Sequence, residues 1–425
     1  MMEIAFFTFL VLLLLGVPIV LALGVASFAA LFYSGVPLSL AATRMFAGLD
    51  SFPLMAVPFF ILAGELMNVS GFTDRIVKLA NALVGHLTAG LAQVNVVDSM
   101  LFAGISGSSA ADVSSIGAMI IRSMTREGYP REYAVSLTAV TACIANIIPP
   151  SLFMILLGAV TGISVGGMFL AGFVPGILIG LGLMLFNYIY CKKMNIPVKK
   201  RPTAHEFWEA CKDAAPALGT AVIILGGIEL GVVTPTEAGV LAVVYTTILG
   251  VVVYRELDLI VLRNVLIRAS KTTAIAVSVL APASIFSWIM ARESLPEVLT
   301  RGIKYFAATP LGVHLLIIGA LLVLGMFMEA TSVLIIVMPF LFPVAIKAGL
   351  DPIHFGICST VALVIGLVTP PVGMLLFLAC TIGKTTVKAT LWTLYPQIGI
   401  MVFVLLLIVV FPSLTTFLPK WLLGL

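Results

Sequence analysis

Seven long apolar runs govern what this chain can become. They lie near 4–33, 52–68, 166–190, 215–232, 237–254, 272–290 and 389–411. Apart from the longer first run, they have the roughly 17–25 residues with which a helix crosses a hydrocarbon core. Gly16-Val17-Pro18 is expected to bend that first run. Only 10% of the 425 residues are charged, against roughly 25% in a soluble protein. That is too little polar surface for two or three soluble domains. A soluble enzyme or a nucleic-acid binder is therefore excluded. An outer-membrane barrel would show short alternating strands instead. The pattern predicts an all-α polytopic membrane protein. Met1-Met2-Glu3 carries no basic stretch, so the first apolar run is expected to be retained and not cleaved as a signal.

Shorter apolar segments, interrupted by polar and Pro/Gly clusters, lie between the long runs. In the first half they are 89–105, 111–125, 133–147 and 151–163. In the second they are 310–325, 332–346, 353–367 and 372–382. The two sets are related by an offset of 221. Gly104 maps to Gly325, Gly128 to Gly349, Val140 to Val361, Ile144 to Ile365, Leu157 to Leu378, Gly162 to Gly383 and Pro175 to Pro396. Pro149-Pro150 maps to Pro370-Pro371. Matches among common apolar residues carry little weight, but a double proline with Gly and Pro at fixed distances indicates an internal repeat.

Lys and Arg mark cytoplasmic loops. The basic segment 191–213, with Lys192, Lys193, Lys199, Lys200, Arg201 and Lys212, is expected to be cytoplasmic. So is 255–271, with Arg255, Arg263, Arg268 and Lys271. Segment 122–132 holds Arg122, Arg126 and Arg131, whereas its mate 343–353 holds only Lys347. The mates thus fall on opposite sides, which predicts inverted repeats. Residues 292–308 carry Arg292, Arg301 and Lys304 although parity puts them outside. They are expected to form a surface-lying helix, like the segment near 70–87. The division that follows is 1–190 for the first repeat, with scaffold helices over 4–86 and a hairpin and broken helix over 88–165. A basic linker covers 191–213. The second repeat covers 214–425, with scaffold helices over 215–308, hairpin and broken helix over 309–383 and a terminal helix over 389–411.

Each repeat is expected to contain a re-entrant helical hairpin with a polar tip, followed by a helix broken at its centre. The first tip is Gly104-Ile105-Ser106-Gly107-Ser108-Ser109-Ala110-Ala111-Asp112. The first break is Asn146-Ile147-Ile148-Pro149-Pro150-Ser151. The second tip is Gly325-Met326-Phe327-Met328-Glu329-Ala330-Thr331-Ser332, and the second break is Gly366-Leu367-Val368-Thr369-Pro370-Pro371. Non-helical backbone at membrane depth is tolerated only inside protein or beside a wet cavity. There, carbonyls at helix C-termini suit Na+ and exposed N-termini suit a carboxylate. Ser108, Ser109, Asn146 and Thr331 are the candidate polar ligands in these stretches. Small residues also serve close helix packing, so each tip alone is ambiguous; two tips in register with two breaks point to a site.

A carboxylate inside a membrane is costly and usually functional. Asp112 fits that description, or else caps the outgoing half-helix 113–125. Glu329 occupies the second tip. Asp98 lies in the incoming half-helix, and Glu65 and Glu229 suit helix-end or interior partnerships. Thr234-Pro235-Thr236-Glu237 has the pattern of a capped helix start. An anionic substrate would call for a cation such as Arg44, Arg122 or Arg292. Arg292, beside Trp288, equally suits interfacial anchoring. The four histidines show no metal-ligand spacing, and the five cysteines form no CxxC pair, so neither a metal cluster nor a disulfide framework is expected.

On the first tip, Ile148-Pro149-Pro150-Ser151, Thr234-Pro235-Thr236-Glu237-Ala238 and Val368-Thr369-Pro370-Pro371, the chain resembles the large membrane (permease) subunit of tripartite ATP-independent periplasmic (TRAP) transporters. The resemblance covers essentially the whole chain. It implies an elevator-type fold, with a scaffold and a mobile domain holding the tips and breaks. It implies Na+-driven import of an organic acid, such as a C4-dicarboxylate or sialic acid, across the bacterial inner membrane. The implied partners are a periplasmic binding protein and a small four-helix membrane subunit. The latter is expected as a separate chain, because no extra helices precede residue 4. No organic cofactor and no nucleic acid are implied. By motif, Ser106, Ser108 and Asp112 would lie at or near the substrate. The carbonyls around Ser106, Ala145 and Ile148 would hold one Na+. By the 221 offset, Gly325, Gly366 and Thr369 would hold a second, so at least two ions are implied. Position 145 is Ala where its mate 366 is Gly, which leaves the carbonyl but can alter the backbone. The resemblance also raises Arg292 as a substrate or gating residue. Two other readings stay open: an ion-coupled carboxylate carrier needing no binding protein, and an integral-membrane enzyme, for which no nucleophile arrangement is visible.

Overall fold

The computed structural model describes residues 1–194, 196, 198–307 and 309–424, with the side chains of Ile105, Ser106, Lys304 and Phe306 outside the described set. Among the described residues there are helices and turns and no strand. Helices α1 (Met2–Leu14), α2 (Ile19–Tyr33), α3 (Ser39–Leu49), α4 (Ala56–Val69) and α5 (Phe72–Val84) open the chain. The first tip region holds α6 (Gly90–Ser106), α7 (Ser109–Asp112), a π-helical turn at Val113–Gly117 and α8 (Ala118–Arg126). Next come α9 (Arg131–Ala142), continued by a 3-10 turn over Cys143–Asn146, then α10 (Leu152–Thr161) and α11 (Val165–Lys192). The second half holds α12 (Ala204–Glu229), α13 (Pro235–Ile248), α14 (Leu259–Ser278), α15 (Leu280–Arg292) and α16 (Leu295–Phe306). It continues with α17 (Pro310–Phe327), α18 (Ala330–Lys347), α19 (Pro352–Gly366), α20 (Met374–Gly383), α21 (Val387–Val410) and α22 (Ser413–Leu423).

Among the described residues, eight helical stretches are long and apolar enough to cross a bilayer. Large apolar side chains also face outward: Phe32 is 78% and Trp392 90% exposed. In water such a surface would be a liability; in lipid it is the expected exterior. The chain is a multi-pass membrane protein.

The local sequence explains where the helices start and stop. Thr234 accepts from the Glu237 amide at 3.3 Å, and the Glu237 carboxylate accepts from the Thr234 amide at 2.7 Å, the reciprocal cap expected there. Thr203 and Glu206 do the same for α12. That cap starts α12 at Ala204, so the basic linker is confined to 193–203 and does not extend over 191–213. Likewise Asp258 caps α14 by accepting from the Val261 amide at 2.7 Å. Arg263, Arg268 and Lys271 therefore lie on a helix and not in the expected loop.

The first apolar run is not one bent helix. Gly16 adopts φ +77°, which only glycine takes without strain, and Pro18 has no amide to continue the ladder. The chain breaks there, and α1 and α2 pack against each other. Helices α17 and α18 are 18 residues each and long enough to span, not too short as expected. The ladder runs two residues beyond Gly325, so the second tip shrinks to Met328-Glu329. Helix α22 was not anticipated, since its Lys420 and Pro419 obscure a short pattern.

The middle segments of the two halves interlock. Helix α20 packs on α8, α9 and the π turn of the first half, and α10 packs on α18 of the second. The Cys143 thiol donates to the Val364 carbonyl at 3.5 Å. Both proline pairs, Pro149-Pro150 and Pro370-Pro371, have cis peptide bonds, and Gly128 and Gly349 both have positive φ. Around this body, α4 packs on α13 and α14, and α5 on α12. Arg75 ties α5 to that outer layer, lying 3.7 Å over the Tyr254 ring and 3.3 Å from the Glu256 carboxylate.

Candidate functional site

Both tips and both breaks converge on one cleft of ≈ 370 Å³. That is within the range of about 300–1,000 Å³ typical of small-molecule sites. The first tip supplies Gly107, Ser108, Ser109 and Ala110, the first break Asn146, and the start of α10 Leu152 and Phe153. The second half supplies Glu329, Thr331, Leu367, Met374 and Leu375. Val57 and Ile61 of α4 with Thr272 and Ala276 of α14 close the opposite wall. The lining is largely apolar with a few placed polar groups, as ligand sites commonly are.

The first tip is joined to the first break. Asn146 Oδ1 accepts from the Ser109 amide at 3.3 Å, and Asn146 Nδ2 donates to Ser109 Oγ. Gly107 makes the turn possible. Its φ is +59°, and a Cβ there would collide with the Pro150 carbonyl. Ser108 accepts from the Ala111 amide at 3.4 Å and so starts α7.

The second tip is ordered differently. Glu329 accepts from the amides of Thr331 and Ser332, each at 2.9 Å. Its carboxylate thus neutralises the positive end of α18 from within. The other two helix starts in the cleft, α10 and α20, carry no side-chain cap. Ser151, at the head of α10, instead donates its hydroxyl to the Asn146 carbonyl at 2.7 Å. Two helix N-termini with positive partial charge therefore meet the cleft without a carboxylate of their own.

Among the expected site residues, Ser108, Ser109, Asn146 and Thr331 line the cleft. The Ser106 side chain lies outside the described residues, and its backbone ends α6. Asp112 does not line the cleft. It is 2% exposed and accepts from Ser99 Oγ at 2.8 Å. Nor does its side chain cap the outgoing helix, because Ser108 starts that helix four residues earlier and takes the cap position. Beside it Asp98 is fully buried, and neither carboxylate oxygen has a partner among the described residues. Arg292 is exposed at the end of α15, with its guanidinium 5.2 Å from the Trp288 ring centroid and outside the cleft lining. Arg44 stacks on the same ring at 5.4 Å. Glu65 pairs with Arg268 at 3.2 Å, whereas the Glu229 carboxylate has no partner among the described residues.

Of the carbonyl positions, Ala145 and Ile148 are buried at the end of the 3-10 turn. Gly325 and Gly366 bring two backbones into direct contact. A Cβ on Gly366 would lie 2.6 Å from Gly325 Cα and 2.8 Å from its oxygen. Thr369 closes the turn beyond, donating its amide to the Gly366 carbonyl at 3.1 Å and its hydroxyl to the Ile365 carbonyl at 2.7 Å. The sequence reading missed Leu152, Phe153, Met374 and Leu375 at the helix starts, and Thr272 and Ala276 opposite. Their contribution is backbone or wall, which apolar residue types do not advertise.

The chain matches a family model described as "Tripartite ATP-independent periplasmic transporter, DctM component" over residues 6–414. It is 39% identical to the sialic acid TRAP transporter large permease protein SiaM of Vibrio cholerae, over 98% of each chain. It is 36% identical to the C4-dicarboxylate TRAP transporter large permease protein DctM of Pseudomonas aeruginosa, over 90% of this chain and 89% of that one. Among solved structures, the Alcanivorax borkumensis YdaH transporter aligns with a TM-score of 0.63 at 13% identity, covering 88% of this chain and 89% of that one. That likeness concerns the fold alone.

Proposed function

As the chain belongs to the DctM component family of TRAP transporters, we propose that it imports an organic acid into a bacterium across the inner membrane, driven by Na+. Membership of this family implies a small membrane subunit and a periplasmic binding protein as partners. The observation that carries the proposal is the single cleft shared by two tips and two breaks. The uncapped starts of α10 and α20 would receive a carboxylate. Ser108, Ser109, Asn146 and Thr331 would orient the rest of the acid.

Two Na+ ions would sit beside this cleft. One would take carbonyls around Ser106, Ala145 and Ile148, the other those of Gly325, Gly366 and Thr369. At each place the last turn of a helix lies against a second broken backbone; the Gly366 carbonyl accepts from the Thr369 amide at 3.1 Å, and a carbonyl's second lone pair would serve the ion. Coupling would follow if tip and break close only when ions and acid are present together. Each excess charge entering across 100 mV is then worth about 2.3 kcal/mol for uptake. We assign the mobile domain to the interlocked segments 88–165 and 309–383, moving as an elevator against a scaffold formed by 4–86 and 215–308. The acid belongs to the sialic acid or C4-dicarboxylate class of the relatives. The test is uptake into proteoliposomes holding this chain with both partners. Accumulation should require an inward Na+ gradient and the binding protein. Uptake indifferent to the gradient would sink the proposal, and uptake without the binding protein would favour a stand-alone carrier.

A further inference from the structure

Away from the cleft, α17, α19 and α22 meet at a cluster the sequence did not lead us to expect. His314, His354 and Cys358 are all buried, and their ligand atoms lie within 4.8 Å of one another. The two imidazoles contact edge to face with centroids 4.9 Å apart. Neither His314 Nε2 nor His354 Nε2 has a hydrogen-bond partner among the described residues. Two buried ring nitrogens without partners are an unusual cost in a close-packed interior.

The contacts of His354 favour one tautomer. Its Nδ1 lies 2.7 Å from Thr415 Oγ1. The single Thr415 hydroxyl proton is donated to the Pro412 carbonyl at 2.9 Å. With that donation Thr415 accepts from His354 Nδ1–H, the nitrogen that also lies 3.7 Å from Cys358 Sγ, and the lone pair falls on Nε2. A metal-ligating histidine is commonly held this way, its second nitrogen bonded to a neighbouring oxygen. His354 and Cys358 are four residues apart on α19, so they share one face. That spacing is itself a ligand spacing, and the sequence reading passed over it because His314 lies far away in the chain.

The other half of the chain shows that nothing in the fold demands these side chains. The residues 221 positions earlier are Gln93, Tyr133 and Leu137. There Gln93 Nε2 donates to the Met184 carbonyl at 3.0 Å, and Tyr133 OH to Asn187 Oδ1 at 2.6 Å. These hydrogen bonds take up Gln93 Nε2 and Tyr133 OH, Gln93 Oε1 has no partner among the described residues, and the residue types offer no imidazole or thiolate.

We propose that His314, His354 and Cys358 bind a borderline-soft divalent transition metal of the zinc class, pinning α17 to α19. Two imidazoles and a thiolate suit zinc and exclude Na+ or Mg2+, which prefer oxygen. Metal bonds of about 2.0–2.3 Å require the three side chains to close slightly. Binding replaces the Cys358 thiol proton, so one proton is released per metal bound and affinity falls as pH falls. The site lies near the starts of its helices, His314 being the fifth residue of α17 and His354 the third and Cys358 the seventh of α19.

The experiment uses the full chain with its small subunit in lipid nanodiscs, stripped with a chelator and reloaded with Zn2+ or Co2+. One equivalent of Zn2+ per chain is expected, and Co2+ should give a thiolate-to-metal charge-transfer absorption. Cys358→Ser should abolish that absorption while leaving the particle monodisperse. The combination His314→Gln, His354→Tyr and Cys358→Leu, which copies the first half, should lose the equivalent altogether. Thr415→Val should weaken binding by about 10–100-fold. Changing Cys143, Cys191, Cys211 and Cys380 to Ser should change nothing. The proposal is overturned if Co2+ gives no thiolate absorption in the wild-type chain, or if Cys358→Ser keeps it.

Discussion

Gly366→Ala tests whether direct backbone contact between tip and break matters to ion binding. A methyl at 366 would lie 2.6 Å from Gly325 Cα and 2.8 Å from its oxygen, and neither atom can rotate away. The backbones must part by several tenths of an ångström, a kind of overpacking that costs about 1–3 kcal/mol. If the proposed second Na+ needs both carbonyls together, the same energy appears as a rise of about 5–150-fold in half-activating Na+. The first half supplies the control. Position 145 already carries a methyl, and a Cβ on Gly104 would meet Ala221 Cβ at 3.4 Å and the Pro149 oxygen at 3.8 Å, which is ordinary contact. Gly104→Ala should therefore stay within about twofold of wild type. The assays are Na+ titration of uptake in proteoliposomes and thermal unfolding of the purified chain, the second being independent of transport. Equal behaviour of the two variants, or an unaltered Gly366→Ala protein, would refute the reasoning.

Asn146→Ala removes both contacts to Ser109; at about 0.5–1.5 kcal/mol each, apparent substrate affinity in uptake should fall roughly tenfold, and Asn146→Asp should recover part of it. Glu329→Gln keeps one acceptor but loses the charge at the start of α18, so a thermal-shift assay should show a loss of about 1 kcal/mol in stability. The Lys347 ammonium, 2.7 Å away, holds the exposed Glu297 carboxyl below the ordinary carboxylate range. A depressed value contributes stability above the unfolded pKa and loses it as pH falls through the folded one. The stability difference between wild type and Lys347→Met should accordingly be present at pH 7 and shrink as the pH drops below about 4.5; a difference independent of pH would contradict the pair.

Periodicity and punctuation made much of this architecture legible. Each apolar run after the first lies in helix, although 272–290 is shared between α14 and α15, and Thr234 and Glu237 formed the expected cap. Residues from both tips and both breaks line one cleft. Three kinds of information were hidden. The break at Gly16 depends on a positive φ, which a glycine permits but does not announce. The start of α14 depends on one aspartate outweighing a basic stretch that resembles a loop. The position of Asp112, turned from the cleft toward Ser99, depends on where α7 begins, and a run of Ser and Ala offers several equivalent caps. Arg292 lies beside Trp288, the neighbour its place in the sequence offered, and outside the cleft lining.

The two tips also differ in what they can report. Glu329 holds its tip through amides two and three residues away. Such a bond survives whatever happens elsewhere in the molecule, and it conveys nothing. Asn146 holds the other tip across 37 residues of chain. That bond exists only while two separate stretches stay in register, so breaking it at one end is felt at the other. Of the two lips of the cleft, one is self-sufficient and the other is a relay.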